Sequence, residues 1–243
     1  MAKLVQKSGY IKSGKASGYM RYIATREGVE KLAGNGAVTK GQRELIQKLL
    51  TDFPDAVELF EYEDYCKTPT LGTASAFISM ALDANLHEID SESGYMQYIA
   101  TRPHVQKRGA HGLFSSATAV DLTSAMSELE AHEGNVWTII YSLRREDAVR
   151  LEYDNADAWR TLLMENAPTL AKSMKISLDN FHWYAAFHDE GHHPHIHMMV
   201  WSDDPKEGFL TKNGIAAMRS KLTNAIFRDE MQQIYERKDV AYS

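Results

Sequence analysis

The sequence predicts an α+β chain, on three observations. Runs of β-branched and aromatic residues recur near the start, in the middle and late in the chain. Apolar residues spaced three and four apart mark helices between them. Six of the ten histidines fall within residues 182–197, at and between two of the predicted strands.

The elements follow in order. Lys3 to Ile11 reads as a strand, with Leu4 and Val5 near its start. The loop Ser13-Gly-Lys-Ala-Ser-Gly18 turns the chain into a helix from Tyr19, which Gly28 stops. Residues 40–52 and 73–85 read as helices, through Leu45, Ile46, Leu49 and Leu50 and through Ala76, Phe77, Met80 and Ala81. Val136 to Leu143 is a strand. Asp154 to Lys175 is helical, capped by Asp154 or Asn155. Phe181 to His188 and His195 to Trp201 are strands joined by Asp189-Glu-Gly-His-His-Pro194, and Leu210 to Tyr235 is helical. No stretch rich in Pro, Gly or Ser divides the chain, so one domain over 1–243 is expected.

Composition narrows the class. With 243 residues, 44% apolar and 10% aromatic, the chain can bury a sizeable core and is not a disordered segment. The lone Cys66 excludes a disulfide scaffold and a cysteine metal site, and implies a reducing, cytoplasmic setting. No apolar run reaches the roughly 20 residues of a membrane span, and no secretory leader is legible.

The net charge of −6 is unevenly spread. Residues 1–48 carry +7 and residues 99–120 carry +3, while 49–98 carry −9 and 121–243 carry −7. Two basic segments in an acidic chain suggest a localised phosphate-binding groove. Glu61, Glu63 and Asp64 lack the glycine and alternating ligands of a calcium loop and read as a solvated acidic face.

A decapeptide occurs twice. Ser17–Arg26 and Ser93–Arg102 agree at nine of ten positions, 76 residues apart. Each copy places two tyrosines three apart on one helix face (Tyr19 and Tyr22; Tyr95 and Tyr98), with Arg26 or Arg102 one turn further on. A tyrosine phenolate is a nucleophile for phosphodiesters.

The histidines carry the sharpest signal. Alternation along a strand puts His195 and His197 on one face, with Ile196, Met198 and Val200 on the other. Antiparallel pairing of the two late strands then brings His188 to the same place. Three imidazoles suit a divalent transition cation and leave positions open for substrate. His192 and His193 read as solvated or DNA-facing turn residues, and Asp189 and Glu190 as groups that orient a ligating histidine.

These motifs resemble a known family. His188-Asp-Glu-Gly-His-His-Pro-His195-Ile-His197 resembles the metal motif of HUH endonucleases, and among them the conjugative relaxases of the MobL/MOB-P type. Tyr22-Ile-Ala-Thr-Arg-Glu-Gly28 resembles their tyrosine motif. Arg108-Gly-Ala-His-Gly-Leu-Phe114, Gly134-Asn-Val-Trp-Thr138 and Ser142-Leu-Arg-Arg-Glu-Asp147 are similar to stretches of MobL-like chains.

The resemblance implies an antiparallel sheet of about five strands flanked by helices, here with a helical insertion near residues 30–92. It implies nicking of one DNA strand at a plasmid origin of transfer, through a 5′-phosphotyrosine. His188, His195 and His197 would hold a divalent cation, Mn²⁺ or Mg²⁺ ahead of Zn²⁺ or Ni²⁺. Single-stranded or hairpin DNA would run along Lys12, Lys15, Arg21, Arg26, Arg102, Lys107 and Arg108, with Tyr19 and Tyr95 stacking on bases. A type IV secretion coupling protein and accessory relaxosome proteins are the implied partners, with no membrane.

The family has one catalytic tyrosine helix and this chain has two copies, so Tyr22 and Tyr98 both stand as nucleophile, with Tyr22 slightly ahead. The family carries further C-terminal sequence, so the chain is expected to be a relaxase domain without its C-terminal extension. Two other readings remain: a non-catalytic module in which the histidines hold a structural metal, and a replication-initiator relative with the same chemistry.

Overall fold

The computed structural model describes residues 3–10, 34–85, 92–101, 104–228 and 230. The helix expected at 19–28 lies outside them, as does the continuation of the last helix toward Tyr235. Five strands form one antiparallel sheet: β1 (Val5–Tyr10), β2 (Leu113–Phe114), β3 (Trp137–Ser142), β4 (Phe181–His188) and β5 (His195–Ser202), in the order β1-β3-β5-β4-β2. This is the α+β architecture expected.

The described helices are α1 (Lys40–Asp52), α2 (Phe60–Lys67), α3 (Leu71–Ala84), α4 (Glu92–Thr101), α5 (Leu122–Glu130), α6 (Arg145–Arg150), α7 (Ala156–Ser173) and α8 (Lys212–Ile226). Residues 93–101 of the second decapeptide thus lie in α4. The short β2, α5 and α6 escape sequence patterning, because each is too brief to show a period.

Side-chain alternation divides the core into two layers. Ile139, Tyr141, Ala185, Phe187, Ile196, Met198 and Val200 face α7 and α8. Ala186, Met199 and Trp201 face α4 and α5, and Ile140 faces the cluster built by α1–α3. His195 and His197 share the parity of Met199 and Trp201, so they point into the second layer.

Local chemistry explains why α1 and α3 begin where they do. Thr39 caps α1 and Thr70 caps α3, each with a reciprocal capping box, to Gln42 and Thr73. The Gln42 amide then bridges the two helices, donating to Leu71 O at 3.0 Å and Ser75 Oγ at 2.9 Å. Asn155 caps α7.

The stretches similar to MobL chains are structural clasps. Asn135 Nδ2 and Trp137 Nε1 both donate to Gly208 O, at 3.2 and 2.7 Å. Arg145 donates to Gly191 O at 3.0 Å, to Glu190 O and to Asp189 Oδ1 at 2.7 Å, and so closes the β4–β5 turn. Gly112 lies against Val105, which makes an isolated bridge to His188 at the end of β4: a Cβ there would fall 2.1 Å from Val105 Cγ2, and its N–H donates to Ala100 O at 2.8 Å.

Candidate metal centre

The register decides the site. β4 and β5 pair antiparallel with His188 opposite His195 and Ala186 opposite His197. All three histidines therefore project from adjacent positions of the central strand pair onto one face. They are 0%, 1% and 0% exposed. Ring centroids lie 5.2 Å (His188–His195), 4.5 Å (His188–His197) and 5.0 Å (His195–His197) apart. One nitrogen from each falls within 4.8 Å of the others, the one such group among the described residues.

Each ring is also held from outside the cluster. His188 Nε2 meets Ile99 O at 2.9 Å, His195 Nδ1 meets His193 O at 3.1 Å, and His197 Nδ1 meets the Tyr95 hydroxyl at 3.0 Å. The opposite nitrogen of each ring is then the one that can face a cation. Three buried imidazoles at this spacing cannot all be protonated without heavy like-charge repulsion in a low dielectric. Neutral rings around a divalent cation satisfy the same geometry. The donor set fits a metal with open positions for substrate oxygen.

An open cleft of about 480 Å³ adjoins His195. It is lined in part by Glu61, Asp64, Asp83, Glu190 and His193. Here the expectation of a solvated acidic face is corrected. Glu61 is 8% exposed, and burial pushes its carboxyl up to about 8, with Asp64, Asp83 and Glu190 adding to the shift and its own backbone N–H partly opposing it. Asp64 bonds His193 Nε2 at 2.7 Å and Arg144 at 3.2 Å. Burial acts to raise the Asp64 carboxyl, but His193 and Arg144 outweigh it and hold it below the usual range.

His193 is corrected likewise. It is 5% exposed and stacks on Phe60 at 5.2 Å, so it is not a solvated turn residue. Burial holds its pKa down. Asp189 is committed to Arg145, while Ile99 O, His193 O and the Tyr95 hydroxyl each hold a ligating ring.

The remaining predicted residues divide. Tyr98 is partly buried and its hydroxyl donates to Asp83 Oδ1 at 2.7 Å. Tyr95 is 1% exposed, so its ring is not offered to a base, and its hydroxyl serves His197 instead. Arg108 pairs with the exposed Asp157. Lys107 is exposed. Tyr19, Tyr22, Lys12, Lys15, Arg21, Arg26 and Arg102 lie outside the described residues.

Sequence reasoning missed Asp64, Arg144 and Asp83 as site neighbours. All three stand far along the chain from the groups they contact, and no local spacing signals such pairs.

Three imidazoles converging from the middle of a five-stranded antiparallel sheet, backed by a tyrosine-bearing helix, constitute an HUH-type histidine cluster. The chain belongs to the MobL relaxases, whose family model matches residues 1–242, and that family consists of DNA relaxases. No curated protein and no solved structure matches it.

Proposed function

We propose that this relaxase nicks and religates one strand at a plasmid origin of transfer, for conjugative mobilisation, with a divalent cation held by His188, His195 and His197. The observation that carries the reading is the convergence of these three buried rings on the central strand pair of a MobL chain. When bound, the cation polarises the scissile phosphate's non-bridging oxygens and offsets the charge that develops on them.

The chain's own residues supply the rest. A tyrosine oxygen attacks phosphorus, a P–O(Tyr) bond forms, and the bond to the 3′ oxygen breaks to leave a 3′-hydroxyl. The tyrosine's proton leaves as the phosphoester forms, and the reverse step reseals the strand. Tyr22 is the first assignment. Tyr98 is the second, and the Asp83 carboxylate 2.7 Å from its hydroxyl favours it as a proton acceptor.

We further infer that Lys12, Lys15, Arg21, Arg26, Arg102, Lys107 and Arg108 track single-stranded or hairpin origin DNA, and that 1–243 acts as one cytoplasmic relaxase domain with a helical insertion. A type IV coupling protein and accessory relaxosome proteins are its expected partners. Among the described residues no helix is long and apolar enough to cross a membrane.

The test is supercoiled plasmid bearing the cognate origin, with Mn²⁺ or Mg²⁺. Nicking and a covalent protein–DNA adduct are expected, both lost in His195→Ala plus His197→Ala. Tyr22→Phe should abolish the adduct while DNA binding persists, and mass spectrometry of the trapped peptide identifies the tyrosine. An adduct that survives in Tyr22→Phe plus Tyr98→Phe removes both from the mechanism. DNA and metal binding without any nicking would favour the non-catalytic module.

A further inference from the structure

The decapeptide is present twice, yet one nucleophile suffices for strand transfer. We propose that the second copy, Ser93–Arg102, orients the cation's ligands, and that Tyr95 is its positioning residue. The inference rests on the metal reading above and assigns roles within it.

Two of the three ligand-orienting bonds come from this one helix. Tyr95 places its hydroxyl 3.0 Å from His197 Nδ1, with the two rings edge-on at 70°. Ile99 follows four residues later, on the same helix face, and its carbonyl lies 2.9 Å from His188 Nε2. That carbonyl is available for a reason. α4 ends at Thr101, so Ile99 belongs to the last turn, whose carbonyls have no partner within the helix. Gly112 N–H takes the neighbouring carbonyl, Ala100 O, at 2.8 Å. The site and the glycine beside it thus take two of the last carbonyls of α4.

The chemistry of the acceptors sets the tautomers. A backbone carbonyl only accepts, so His188 carries its proton on Nε2 and turns Nδ1 to the cation. His195, bonded through Nδ1 to His193 O, turns Nε2 inward. The Tyr95 hydroxyl can donate or accept, so at His197 it is coordination through Nε2 that leaves the proton on Nδ1, where it is given to the Tyr95 oxygen. The expected coordination is therefore mixed: Nδ1 from His188, Nε2 from His195 and His197.

Tyr95 also packs into the second core layer at 1% exposure, which fixes the hydroxyl against His197. A tyrosine so enclosed is placed to orient a ring, not to travel to a phosphate. Tyr95 and Ile99 of the second copy thus serve the histidines.

The test uses the full chain and Tyr95→Phe, titrated with Co²⁺ by calorimetry and followed by the visible spectrum of the bound ion. The variant should bind Co²⁺ about 10–100-fold more weakly, as expected when the outer partner of a ligating histidine is lost. Its spectrum should shift. Equal affinity and an identical spectrum overturn the proposal.

Wild-type protein that binds no cation overturns the metal reading itself, and with it this inference. Wild type that binds while the variant binds equally overturns this inference alone. A second measurement needs no variant. In Zn²⁺-loaded, ¹⁵N-labelled protein, long-range imidazole spectra should show His188 protonated on Nε2 and His195 and His197 protonated on Nδ1. All three rings in one tautomer would also overturn it.

Discussion

Asp64 and His193 stand 129 positions apart in the chain and meet at 2.7 Å. The contact ties α2 to the β4–β5 turn. Phe60, one turn before Asp64, stacks on the His193 ring, and Arg144 lies 4.7 Å over the other partner in that stack while bonding Asp64. The backbone carbonyl of the same histidine receives the His195 N–H. A carboxylate outside the sheet thereby steadies a ligand within it.

Asp64→Ala should lower stability by about 1–2 kcal/mol, the loss of a charge-assisted hydrogen bond reduced for partial exposure. Urea denaturation measures it. The same variant should bind Co²⁺ more weakly than wild type, because His193 loses its anchor. A variant with unchanged urea midpoint and unchanged Co²⁺ affinity would show that the turn is held without Asp64.

Glu61 sets a pH dependence. Its carboxyl titrates near 4.5 when unfolded and at about 8 in the fold, chiefly through burial. Between these values the folded protein holds a proton that the unfolded chain releases. The stability contributed by the neutral acid is complete below about 4.5 and is lost as pH rises toward about 8. Glu61→Gln should gain on wild type across that window, with the gain levelling off above it. Urea midpoints of metal-free protein at several pH values read the difference; parallel curves would mean that Glu61 is ionised in the fold.

Cation removal should cost stability as well as activity. A ligand at 100 times its Kd stabilises a folded protein by about 2.7 kcal/mol. For a chain of this size that is a melting shift of about 5–10 °C. EDTA should produce this fall in wild type and leave His195→Ala plus His197→Ala unmoved. A comparable EDTA effect in the double variant would place the cation elsewhere.

Gly214 tests the packing of α8 on α7. A Cβ at this position would sit 2.4 Å from Ser173 O, a backbone atom that cannot rotate away. Alanine would gain up to about 1 kcal/mol of helix propensity, against about 1–3 kcal/mol of overpacking. The clash should win, so Gly214→Ala is expected to melt lower than wild type. A higher melting temperature would show that the two helices separate at little cost.

The sequence by itself determined the strands that hold the histidines. β4 was read as Phe181 to His188 and is Phe181–His188, and β5 begins at His195 as expected. Alternation within a strand is local and has a fixed period of two, so the shared face of His195 and His197 was legible without any tertiary information. The same holds for α1 and α7, whose apolar spacing and caps are local signals. The helical character of the second decapeptide was legible too, but not its task.

Tertiary structure alone decided what surrounds the rings. The bonds of Ile99 to His188, Tyr95 to His197 and Asp64 to His193 join residues 89, 102 and 129 positions apart. Nothing in the local pattern separates a tyrosine that stacks on a base from one whose hydroxyl is sealed against a histidine. Nor does it separate a solvated glutamate from Glu61, which helix packing buries beside three other carboxylates. Burial and charge pairing arise from where α2, α3 and α4 land on the sheet, and that placement is set by the sum of many apolar contacts spread along the chain.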